Sequence, residues 1–151
     1  MPRVEIFNRD QVLEKMIAVF HNKGYNATSM QDLVDASQLN RSSLYNSFGN
    51  KLAIFLECLK AYQQKATRQT SSLLLKSDNA LDALKAIFKM ETSDRTKSNG
   101  CMISNCTSEM ANQDVSIYSF LKSNKNNMIT FLEDIIAQGQ DEGIINTKQS
   151  S

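Results

Sequence analysis

The chain has 151 residues, one proline, five glycines and a hydrophobic content of 41%, which supports a buried core and argues against wholesale disorder. So few prolines and glycines leave too little turn punctuation for a β-sandwich. The net charge is +1, so any affinity for nucleic acid must come from local placement of charge and not from a basic coat.

No apolar run approaches the roughly 18 residues of a membrane span. The N-terminal MPRVEIFNRDQ lacks the apolar stretch of a signal peptide. These features predict a soluble cytoplasmic protein. Cys58, Cys101 and Cys106 form an odd set without a CxxC pair, and His21 is the only histidine. That pattern predicts neither a disulfide framework nor a zinc site.

The helical patterns begin at residue 9. Val12, Leu13, Met16, Ile17 and Phe20 make one apolar stripe over residues 9–23, and Gly24 ends it. Thr28 is predicted to open a second, short helix closing near Ser37, with Gln31 in capping-box spacing. Asn40 is the expected N-cap of a third helix, with Leu39 and Leu44 spaced as a hydrophobic staple and Gly49 as its stop. Asn50 then caps a long fourth helix from Lys51, through Leu52, Phe55, Leu59 and Tyr62. A fifth follows SDN at 77–79, with Leu81, Leu84, Ile87 and Phe88 inward. A polar loop spans 92–100, a sixth helix 101–112, and a seventh 114–138, with Met128 among its apolar residues. The fold class is all-α, with a natural boundary near residues 49–51.

Two short helices joined by a tight turn, the second polar on its exposed face, have the form of a helix-turn-helix. The second helix must enter a major groove about 12 Å wide. Short or hydrogen-bonding residues suit its start: Arg41, Ser42 and Ser43. Arg41 can read the two acceptors of a guanine, and Tyr45 and Asn46 can reach a base or a phosphate. The N-termini of the second and fourth helices, marked by Thr28 and Lys51, suit phosphate oxygens.

GYNATSMQDLVDASQLNRSSLYNSFGNK, residues 24–51, closely resembles the DNA-binding segment of TetR/AcrR-family transcriptional regulators. The matching positions are Gly24, Tyr25, Thr28, Ser29, Met30, Leu33, Val34, Ala36, Leu39, Leu44, Tyr45, Phe48 and Lys51. The resemblance implies a three-helix DNA-binding domain over 1–50 and a larger helical ligand-binding and dimerisation domain over 51–151. It implies a homodimer on a palindromic double-stranded operator, and repression relieved by a small-molecule inducer. By position, Thr28, Tyr45 and Lys51 match phosphate contacts, and Arg41, Ser42, Ser43 and Asn46 match the sequence-reading positions.

GCMISNCTSEMANQD, residues 100–114, is similar to a segment in one branch of these regulators, some of which sense electrophiles or oxidants through cysteine. Cys101 and Cys106 are therefore candidates for ligand or redox sensing. Cys101 lies near a helix start that favours thiolate; the plain alternative is that both are small buried hydrophobes.

The chain departs from the family pattern twice. Gln38 stands in the turn where a glycine is usual. Two further helices normally follow the seventh, so the regulatory domain is expected to lack its last helices. A second reading is accordingly a shortened, non-enzymatic interaction protein with weak or no operator binding. No nucleophile–base pair, metal cluster or phosphate-cradling loop suggests catalysis, and no cofactor is expected.

Overall fold

Asparagine and serine caps, glycine stops and apolar stripes divide the chain into helices. The computed structural model describes residues 7–92 and 99–148. Among these every regular element is an α-helix, in the order α1 (Arg9–Lys23), α2 (Met30–Ser37), α3 (Arg41–Phe48), α4 (Lys51–Lys76), α5 (Ala80–Thr92), α6 (Met102–Met110) and α7 (Val115–Asp141). The chain folds as two compact units. One takes in the residues up to Gln64 together with Asn99–Ile117, and the other Lys65–Ser98 with Tyr118–Ser151.

The first unit holds α1–α3, the first half of α4, and α6. Met16, Phe20, Leu33, Leu44, Ile54, Phe55 and Leu59 are fully or almost fully buried. Phe20 packs on Phe55 and Tyr25, with ring centroids 4.8 and 6.4 Å away. Burying a side chain of this size is worth about 1.5–3 kcal/mol. Arg9 ties three elements together: its guanidinium donates to both carboxylate oxygens of Glu57, at 2.9 Å each, and to the Ser47 carbonyl at 3.1 Å. It also lies 4.1 Å above the Phe48 ring.

The caps follow the sequence with one correction. Asn8, Asn40 and Asn50 cap α1, α3 and α4 through their side-chain oxygens. The cap of α2 is Ser29, not Thr28. Ser29 Oγ accepts from the Asp32 N–H at 3.0 Å, and Asp32 accepts from the Ser29 N–H at 2.8 Å. Gln31 is therefore not the capping-box partner. Lys23, followed by the Ser29 bonds, holds the Asp32 carboxyl down at about 2. Gln38 ends α2 with φ 60° and ψ 18°. A left-handed residue without glycine's freedom costs about 1 kcal/mol, so the departure from the family glycine is absorbed as strain in the turn.

In the second unit Ala80, Ile87 and Ile135 form a core against which Leu73, Leu74, Leu84 and Phe131 pack. Gly139 lets α7 approach α5: a Cβ there would meet Ile145 at 2.5 Å and the Ala80 Cβ at 3.2 Å. The Glu142 carboxylate accepts from the Ala80 N–H at the start of α5. Phe88, expected inside, is 60% exposed, and Met128, one of the apolar residues of the seventh helix, is 48% exposed. Each lies on a periodic apolar stripe, but its own side of the helix is left open among the described residues. Helix α6 ends at Met110, short of 112, and α7 runs on to Asp141, past the expected 138. Of the polar loop expected over 92–100, residues 93–98 lie outside the described residues.

Candidate nucleic-acid interface

Helix α3 is anchored from below and polar above. Leu44 and Phe48 are buried, and the Asn40 side chain fixes the first turn by accepting from the Ser43 N–H at 2.7 Å. Arg41, Ser42, Tyr45 and Asn46 are exposed, and Ser43 is half-buried. Arg41 Nη2 donates to Gln31 Oε1 at 3.0 Å, and Gln31 donates to Asp35. This chain of bonds steadies the guanidinium at the entry of the helix and leaves its other donors for a base or phosphate. Asn46 lies 3.5 Å from the Ser42 hydroxyl.

Thr28 and Lys51, expected as two separate phosphate contacts, are joined to each other. Thr28 is 1% exposed, and its hydroxyl donates to the Gly24 carbonyl at 2.6 Å. Its carbonyl accepts from Lys51 Nζ at 2.6 Å. The ammonium also lies 4.4 Å from the centre of the Tyr25 ring. Lys51 is thus held at the first residue of α4, where the helix dipole and free N–H groups favour an anion. The exposed hydroxyl at the start of α2 belongs to Ser29. Burial, and then Asp114, raise the Tyr25 hydroxyl pKa, keeping the ring neutral beneath Lys51.

Glu109 on α6 was not found from the sequence. Its two carboxylate oxygens accept from the backbone N–H groups of Tyr25 and Asn26, at 2.9 and 2.7 Å. They lie where a Cβ on Gly24 would stand, 2.7 Å from Oε2. Gly24 has φ 78° and ψ 175°, a conformation open almost only to glycine. Helix α6 is thereby fastened to the corner between α1 and α2. His21 Nε2 meets the Gly100 carbonyl at 2.7 Å on the same side. A cleft of about 310 Å³ lies beside these bonds, lined among others by Phe20, His21, Met102, Asn105, Cys106 and Glu109.

The cysteines differ. Cys58 is fully buried, and burial raises its thiol pKa strongly. Cys106 is 2% exposed, and burial, then Glu109, pushes its thiol up to about 11. Thiolate is disfavoured at both near neutral pH. Cys101 is half-exposed at the N-cap of α6 and makes no capping bond with its side chain. Among the described residues no cluster of His, Cys, Asp and Glu could hold a metal ion, and no helix is long and apolar enough to cross a membrane.

Residues 12–58 match the family described as bacterial regulatory proteins, tetR family. The chain is 32% identical over 148 residues to the HTH-type transcriptional repressor ComR of Escherichia coli (strain K12), covering 95% of this chain and 70% of that protein. The chain belongs to the TetR family. It is a DNA-binding transcriptional regulator, and TetR-family members are regulators and not enzymes. It is also 26% identical to the regulator YezE of Bacillus subtilis (strain 168), over 97% of this chain and 77% of that one. Among solved structures, the TetR-family regulator CifR bound to a 26-bp double-strand operator shares the fold. Its TM-score is 0.83 at 19% identity, over 97% of this chain and 78% of that one. The all-helical TetR fold, with its helix-turn-helix in α2–α3, is the one expected from the sequence.

Proposed function

We propose that this TetR-family chain is a cytoplasmic repressor that binds a palindromic operator as a homodimer and releases it when a small molecule binds the regulatory part. In this reading residues 1–50 read DNA and residues 51–151 sense and pair. Arg41, Ser42, Ser43 and Asn46 face base edges; Tyr45 and Lys51 face phosphates. Thr28 serves by holding Lys51 through its carbonyl, because its hydroxyl is turned inward. The observation that carries the proposal is the exposed polar face of α3 over its buried Leu44 and Phe48. The similarity to a repressor, ComR, supports the direction of control. A structure of AibR with isovaleryl coenzyme A and operator DNA supports a small-molecule effector by analogy. Of the two cysteines raised as sensors, Cys101 is the accessible one.

Arg41→Ala tests the reading. It is expected to relax preference at one base position in each half-site, with a loss of about 1–3 kcal/mol on the preferred base. Binding to a panel of single-base operator variants measures this. An unchanged preference at every position would remove Arg41 from the reading surface.

A further inference from the structure

Two arginines of the first unit are held in different ways. The Arg9 guanidinium faces a carboxylate: both oxygens of Glu57 accept from it, at 2.9 Å each. Arg41, the first residue of α3, donates from Nη2 to an uncharged acceptor, Gln31 Oε1, at 3.0 Å. A carboxylate offsets the charge that a guanine or a phosphate must meet. An amide oxygen orients the guanidinium and leaves its charge intact.

Gln31 is itself oriented. It is exposed on α2, and its Nε2 donates to Asp35 Oδ1 at 2.8 Å, one turn further along the same helix. An ionised aspartate only accepts, so it keeps the NH2 end of the amide on its own side and turns the carbonyl oxygen to Arg41. Without Asp35 the amide is free to turn over and set donor against donor. We infer that Gln31, seated on Asp35, is the positioning residue for Arg41 and sets how sharply this regulator distinguishes one base of its operator. A held guanidinium meets its base without first being ordered, and it is not free to swing to a neighbouring base or phosphate when the base is wrong. This inference rests on the reading of Arg41 proposed above and adds to it a residue that acts through Arg41 and not on DNA.

The test measures affinity of the full chain for its selected operator and for each single-base variant of that operator. Arg41→Ala marks the position that Arg41 reads. Gln31→Met keeps the stem and removes the amide. It is expected to lower the preference at that same position by about three- to tenfold, with the other positions and the melting temperature as in the parent. In the Arg41→Ala background it is expected to change nothing further. Asp35→Ala is expected to lower the same preference by a smaller factor, even as loss of a negative charge strengthens binding to every duplex; an unchanged preference would remove Asp35 from the arrangement. If Arg41→Ala flattens one position and Gln31→Met leaves it sharp, the positioning role is overturned and Arg41 still reads its base. If Gln31→Met acts at another position, or acts equally in the Arg41→Ala background, Gln31 contacts DNA directly and the positioning role is again overturned. If Arg41→Ala changes no position, the reading of Arg41 and this inference fall together.

Discussion

Gly24→Ala is expected to lower the unfolding free energy by about 2–4 kcal/mol. Two costs combine. The backbone at φ 78°, ψ 175° costs a non-glycine residue on the order of 1–3 kcal/mol. The new Cβ would also stand 2.7 Å from Glu109 Oε2. Glu109 is a flexible side chain, but its carboxylate is engaged with the Tyr25 and Asn26 N–H groups. Moving it forfeits charge-assisted bonds worth roughly 1.5–3 kcal/mol together with the fit of α6. Chemical denaturation of the parent, Gly24→Ala, Glu109→Ala and the double variant separates the two costs. The double variant should be less destabilised than the sum of the singles, because the clash vanishes once Glu109 is gone while the backbone strain remains. Strict additivity would mean that Glu109 does not occupy the space above Gly24.

Lys51→Ala is expected to act on stability and on DNA together. The ammonium donates to the Thr28 carbonyl and covers the Tyr25 ring. Losing a charged hydrogen bond and a cation–π contact costs about 2 kcal/mol. The same ammonium has donors left for a phosphate, so its loss should weaken binding to every duplex alike and flatten the salt slope by about 1. Lys51→Met keeps the stem and is expected to show the same DNA defect. If stability falls but the folded fraction binds DNA like the parent, Lys51 is an internal brace alone. If DNA binding falls at unchanged stability, the bond to Thr28 carries no weight.

Local signals made much of the DNA-binding part legible. Asn40, Asn50, Gly24 and Gly49 each act within one helical turn of their own position, and each ends or starts a helix as expected. The α2 cap was misplaced by one residue because Thr28 and Ser29 both form caps, and a side chain able to pair stands three positions after each. The choice was made by a short-range bond across the turn, from the Thr28 hydroxyl to the Gly24 carbonyl four residues back. Glu109 was illegible for a different reason: its partners stand 84 and 83 residues away, and nothing in an isolated glutamate announces a backbone turn as its target. Periodicity placed Phe88 and Met128 on apolar stripes but carries no information on whether a neighbour covers that stretch.

Binding of the 151-residue chain to its selected operator and to a scrambled duplex, each titrated with salt, tests the central claim most directly. Selection from a randomised library supplies the operator. The account predicts a two-fold symmetric site, affinity that falls as salt rises, and a preference of at least about a thousandfold over the scrambled duplex. Equal affinity for the two duplexes, or binding indifferent to salt, would contradict a helix α3 that reads base edges from a phosphate-anchored frame.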